Sequence, residues 1–188
     1  METRDCLKSR RSIRRFTDQT VTDEMLLELL EAVRWAPSWA NTQCWELIIV
    51  REPASKQKLA DLLEENNPAF KGVLEAPVVF VICARRGLAG FKKGETTTNK
   101  GDWFMFDIGI AAQNLCLAAW DLGLGTVHVG NYDHARVDEF LGLPAGVESV
   151  EIIPAGFPAK EGKAPPRKPL DEFVFNERYG QKLNGLNS

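Results

Sequence analysis

Four arginines crowd into the six residues Arg10-Arg11-Ser12-Ile13-Arg14-Arg15, in a chain of 188 residues whose formal net charge is −3. No acid lies between Cys6 and Thr17, whereas a solvated helix face, the plainest alternative, mixes both signs. Guanidinium forks with a hydroxyl and backbone N–H groups among them suit a phosphate. On a helix or helix-like turn, Arg10 and Arg14 would project to the same side. A second basic pair, Arg167 and Lys168, sits in the proline-stiffened stretch Ala164-Pro-Pro-Arg-Lys-Pro-Leu170, where fixed φ angles hold its direction. If the fold joins the two ends of the chain, both patches would enclose one phosphate. Its owner stays open at this level: a nucleic acid backbone, a regulatory phosphate on Ser12, or a small cofactor.

Other reactive side chains are sparse. Cys6, Cys44, Cys83 and Cys116 are far apart, and with only His128 and His134 in the chain a zinc site has almost no ligand supply. Cys83 and Cys116 lie in apolar runs and read as buried free thiols of a reducing cytosol. His128 falls in a strand-like run, where a packed histidine is expected, and His134 falls near a helix start on the surface. Trp39 and Trp103 are the tryptophans to watch, one in a site motif and one beside an irregular loop. No Ser-His-Asp set, paired catalytic carboxylates or G-x-G-x-x-G fingerprint occurs.

The elements that must position these residues belong to one mixed unit spanning 1–188, 44% hydrophobic with a sequence pI near 5.5. That acidic balance argues against a general polyanion binder. Thr22 is a plausible N-cap for an amphipathic helix carrying Leu26, Leu30 and Val33 and stopped by Pro37. Strands are expected at 45–50, 76–83, 126–130 and 149–158, with a connecting helix over 53–66. The run 102–123 reads as a helix apolar on nearly every side, to be buried in the core or against another subunit. Residues 85–101, rich in Gly, Lys and Thr, read as a surface loop or mobile lid. Residues 159–188 read as an extended arm without a core of its own. No run is apolar enough to cross a bilayer and no signal peptide is evident, so a cytoplasmic protein without membrane or nucleic acid partners is expected.

Four stretches in order, RRSIRRF, APSWANTQCWELIIV, DIGIAAQNLCLAAWDLGLGTVHVG and GFP followed by RKPLDEFV, together resemble the nitroreductase superfamily of FMN-dependent oxidoreductases. The resemblance implies an α+β fold, an α/β sandwich around an antiparallel-dominated sheet flanked by helices. It also implies a homodimer with FMN at the subunit interface and the C-terminal arm lying over the partner. Arg10, Arg11, Ser12 and Arg14 would hold the FMN phosphate and ribityl chain, with Arg167 and Lys168 closing over the phosphate. Pro37, Ser38 and Trp39 match the segment that reaches the flavin from the partner, and Asn41 and Gln43 are kept from the adjoining motif, in which Cys44 replaces a frequent proline. Val129, Gly130 and Asn131 match the strand end beside the isoalloxazine ring, where a main-chain N–H faces flavin N5. Asn66 or Asn67 matches an asparagine at the pyrimidine edge.

The chemistry so implied is ping-pong electron transfer, with NADH or NADPH as donor and a nitroaromatic, quinone or similar small molecule as acceptor. The flavin carries the reaction and no catalytic side chain is required. Alternatives are a specialised flavoenzyme of the same fold, dehalogenating or flavin-fragmenting, and outside enzymes a basic-arm nucleic-acid or phospho-regulated binding protein.

Overall fold

The structure is a computed structural model that describes residues 1–183; residues 184–188 of the expected arm lie outside the described residues. The helix α1 (Thr3–Ser9) precedes α2 (Asp23–Arg34), whose N-cap Thr22 accepts the Met25 N–H on its side chain. Strand β1 (Trp45–Val50) leads through α3 (Pro53–Asp61) and α4 (Phe70–Glu75) to β2 (Val78–Arg85). A small ribbon follows, β3 (Phe91–Lys92) and β4 (Glu95–Thr96), then the long α5 (Phe104–Asp121), β5 (Gly125–Thr126), α6 (His134–Leu141) and β6 (Val147–Gly156). The main sheet has the order β1-β2-β6-β5 with every ladder antiparallel.

Side chains of a strand alternate between faces, and β2 uses both. Val78, Phe80, Ile82 and Ala84 join a core with Leu29 and Val33 of α2 and Ile108, Leu115 and Ala119 of α5. Val79, Val81 and Cys83 join a second core with Leu59 of α3, Val73 of α4 and Val137 of α6. A sheet covered by helices on both faces is the expected sandwich. Burying a side chain such as Phe80 or Ile82, both 0% exposed, contributes roughly 1.5–3 kcal/mol each.

Several expectations are corrected. The helix expected over 53–66 ends at Asp61, and a short α4 follows, because Pro68 and the left-handed Asn66 (φ 63°) break the run. The strand expected over 126–130 is regular only at Gly125–Thr126, although Val129 still bridges Ile152 in the same register. The helix expected to be buried in the core or against another subunit sets Ile108, Leu115 and Ala119 in the core and, within one chain, leaves Met105 and Phe106 each 59% exposed. The irregular loop carries the β3-β4 hairpin and is tied down: Trp103 Nε1 donates to Thr98 Oγ1 at 3.0 Å, and Arg86 pairs with Asp102 at 2.9 Å. Among the described residues, every hydrogen bond made beyond Ala159 is local to the C-terminal segment. No helix of the described residues is long and apolar enough to cross a membrane.

Candidate functional site

The basic hexad is extended where a helical turn was expected. α1 ends at Ser9, Arg10 takes φ −52° and ψ 132°, the Ile13 N–H donates to Thr126 O at 2.9 Å, and Ser12 forms a parallel bridge with Thr126. Burial of Ile13, 2% exposed, drives this docking. Gly125 permits it, since a Cβ there would stand 2.5 Å from Ile13 Cγ1. Extended chain puts alternate residues on one side, so Arg10, Ser12 and Arg14 come together by a period of two.

The four arginines then divide their work. Arg11 Nη1 donates to Lys8 O at 2.7 Å and to Arg10 O at 2.8 Å, closing the end of α1. Arg15 grips Glu75 through Nε at 2.9 and 2.8 Å and through Nη2 at 2.8 Å, which holds the Glu75 carboxyl below its usual range. Arg10 Nη1 is buried with no hydrogen-bond partner. A buried guanidinium N–H without an acceptor is costly, but this atom is shut off from solvent and so from the open place that Arg10 also lines.

That place is a cleft of about 520 Å³ lined by Arg10, Arg11, Ser12, Arg14, Lys163 and Arg167, with Ala164 and Pro165 as its apolar wall and no carboxylate in its lining. The two ends of the chain therefore meet. Gly162 makes the approach possible, because a Cβ on it would lie 2.6 Å from Arg11 Cβ. Of the expected closing pair, Arg167 lines the cleft, and Lys163 lines it as well; Lys168 is not among the lining residues. Lys163, Glu161 and Gly162 carry no phosphate motif of their own, so sequence reading passed over this turn.

Thr126, the partner of Ser12, leads along the same extended run to Val129, Gly130 and Asn131. Val129 and Ile152 exchange two backbone hydrogen bonds, of 3.0 and 2.9 Å. Gly130 is exposed, and among the described residues no acceptor meets its N–H. Its carbonyl accepts from His134 Nε2 at 3.1 Å, and the Asn131 carbonyl accepts from Asn67 Nδ2 at 3.0 Å. Asn67 is thus committed to the backbone, with Oδ1 also accepting the Ala69 N–H at 2.9 Å. Asn66 is exposed, and both asparagines line a cleft of about 760 Å³ that includes Arg15, Phe70 and Lys71. His134 begins α6, as expected.

The Pro37–Gln43 segment is held apart from the basic cleft within one chain. Pro37, Asn41 and Gln43 line a cleft of about 460 Å³ with Arg34 and Trp35, and no residue of the hexad reaches it. Ala40 (φ 44°), Asn41 (φ 58°) and Gln43 (φ 48°) adopt the left-handed region, which non-glycine residues enter at a cost of roughly 1–2 kcal/mol. Ser38 Oγ accepts the Gln43 N–H at 3.0 Å, and the Trp39 N–H donates to both oxygens of Asp107, at 3.1 and 3.0 Å. Asp107 is 1% exposed on α5, and burial pushes its carboxyl above the ordinary aspartate value. Cys44, 1% exposed, donates to it, and its thiol is pushed up to about 11 by burial and that neighbour. Asp107 was legible as a signal, a lone acid inside an apolar helix, yet sequence reading assigned it no part. Trp39 and Trp103, the two tryptophans singled out, pack against each other at 5.1 Å between ring centroids.

His128 is not the packed histidine expected of a strand. Its side chain is 38% exposed and pairs with Glu151, with 2.6 Å between Nδ1 and Oε2, while Nε2 meets Cys116 Sγ at 3.4 Å.

The comparisons agree with this geometry. The chain matches the model of the "Nitroreductase family" over residues 7–76 and 65–157. It is 32% identical to an FMN reductase [NAD(P)H] of Bacillus subtilis, over 92% of this chain and 72% of that protein. It is 31% identical to an NADH dehydrogenase of Thermus thermophilus, over 88% of this chain and 91% of that protein. A protein of Desulfovibrio desulfuricans solved in complex with FMN superposes with a TM-score of 0.78 at 30% identity, covering 95% of this chain and 98% of that one. An extended basic strand docked beside an antiparallel sandwich, matched over most of the chain by these relatives, makes this chain a member of the nitroreductase family.

Proposed function

We propose that this protein is an FMN-dependent oxidoreductase that passes electrons from NADH or NADPH to a small-molecule acceptor such as a nitroaromatic or quinone, by a ping-pong mechanism. The observation that carries the reading is the cleft that gathers Arg10, Arg11, Arg14, Lys163 and Arg167 around Ser12 with no acid in its lining. A phosphate monoester, doubly charged near neutrality, fits that set of donors. Bound FMN would supply hydride acceptance and electron release.

The chain's own residues do the rest. Arg10, Ser12, Arg14, Lys163 and Arg167 would bind the phosphate, while Arg11 stiffens the turn from α1. The free Gly130 N–H is a donor presented to the ring edge, fixed by His134 and Asn67 on the two following carbonyls. Pro37, Asn41 and Gln43 line a different cleft of the same chain and, with the adjoining Ser38 and Trp39, would serve the flavin of a partner, so the site would be completed by a homodimer. Met105 and Phe106, exposed at the start of α5, and the C-terminal segment with Leu170 and Phe173 exposed are surfaces that such a partner would cover. Four free cysteines, all buried, suit a reducing compartment and support a cytoplasmic location.

The test is direct. Purified protein should be yellow, and apoprotein should bind FMN far more tightly than riboflavin, which lacks the phosphate. Colourless protein with no affinity for FMN, or equal affinity for both, would overturn the reading.

A further inference from the structure

Beyond the phosphate cradle, one charged cluster has no part in the function so far. β5 and its continuation keep a single register against β6: Gly125 faces Gly156, Thr126 faces Ala155, and Val129 faces Ile152. Alternate residues of such a run share a side. Val127 and Val129 are buried, 3% and 4% exposed, in the core with α3 and α4. His128 and Gly130 lie together on the opposite side and are exposed. Ser12 of the cradle bridges Thr126, so His128 stands roughly 7 Å along the strand from the cradle, with Gly130 as far again. The histidine lies between the phosphate site and the N–H offered to the ring.

The sheet register also explains its partner. Glu151 pairs with Ile82, whose side chain belongs to the core beneath α5, so the carboxylate enters that face, 9% exposed. Among the described residues its one hydrogen-bond partner is His128 Nδ1. A buried carboxylate with one partner needs that partner charged. From α5 the group facing the ring is Cys116 Sγ, 0% exposed. The Cys116 sulfur and the Glu151 carboxylate push His128 well above the ordinary imidazole value, up to about 10.

We propose that His128, oriented by the positioning residue Glu151, is a fixed cation beside the bound flavin that raises its reduction potential. Hydride transfer from NAD(P)H moves one proton and two electrons, releases NAD(P)⁺ and adds one negative charge at the ring; an imidazolium on the same face offsets that charge. The inference rests on the flavin reading above.

Reductive titration against reference dyes tests it on FMN-loaded protein. His128→Gln and Glu151→Gln should each disfavour reduction about tenfold, equivalent to ~30 mV for a two-electron couple, and His128→Lys should restore most of the loss. Unchanged potentials with full flavin load would overturn the inference and leave the flavin reading standing. Wild-type protein that takes up no flavin would overturn both. Nitrogen-15 spectra of flavin-free protein add an independent arm: both His128 ring nitrogens should be protonated at pH 7 in wild type and not in Glu151→Gln. A neutral ring in wild type would also overturn the inference.

Discussion

Asp107 on α5 accepts the Trp39 N–H through both carboxylate oxygens, at 3.1 and 3.0 Å, across 68 residues of chain. This one side chain ties the core of the molecule to the strained loop that contains Ala40, Asn41 and Gln43. Asp107→Asn would turn an amide N–H₂ toward donors and should destabilise the fold by about 1–3 kcal/mol in urea unfolding.

The pH dependence of that difference has a defined sign. Burial raises the folded carboxyl above the ordinary aspartate value, so the folded state holds the proton more tightly than the unfolded one. Stability from this group is fully present below the unfolded value and is lost as pH rises through the raised folded value. The advantage of wild type over Asp107→Asn should therefore shrink as pH rises above about 4, and an advantage that grows with pH would contradict the assignment.

Arg10 and Arg15 share a sequence motif and differ in role. Arg10→Ala combined with Arg167→Ala should release FMN, since each charge-assisted hydrogen bond contributes about 1.5–3 kcal/mol. Arg15→Ala should retain FMN and lose little stability, because the Arg15 end of its pair with Glu75 is exposed. Lys163→Ala should weaken FMN more than Lys168→Ala. Fluorescence titration with FMN separates the four variants.

Gly162 lies against Arg11 with no room for a side chain. Gly162→Val should push the 160s turn away from the basic strand and lower FMN affinity at least tenfold, while far-ultraviolet circular dichroism stays native. Native affinity in the variant would show that the turn does not form the cradle.

The β3-β4 hairpin is the irregular segment placed near Trp103, and we expect it to influence acceptor choice. Ala89 is buried and its carbonyl accepts the Trp103 N–H at 3.0 Å, so the cut should spare Ala89 and Gly90. Replacing Lys92–Glu95 by two residues should change the kcat/KM ratio between a bulky and a small acceptor while flavin content holds. Equal losses for both acceptors would assign the hairpin a structural part.

Thiol reactivity follows from burial. All four cysteines are buried, and the Cys83 thiol is pushed up to about 12 by desolvation. A disulfide reagent at pH 8 should label native protein only on the timescale of unfolding; a rapid equivalent of labelling would mean that one thiol is open to solvent.

What the sequence determined by itself was local pattern. Apolar spacing and the Thr22 cap fixed α2, the β-branched run Trp45–Val50 gave β1 its residue bounds, and the ordered motifs carried the family. The basic residues of a phosphate site were visible as a cluster. Which of them serve was decided by tertiary partners: Glu75, 60 residues beyond Arg15, removes that arginine, and the carbonyls at the end of α1 take up Arg11. The helical geometry expected of the hexad failed because a long-range hydrogen bond from Ile13 to Thr126, with burial of Ile13, outweighs any local turn preference. Lys163 and the His128–Glu151 pair were illegible for the same reason, and so was the Trp39 partner of Asp107. Each depends on sheet register and chain-end docking, and those are set by contacts that no short window of sequence contains.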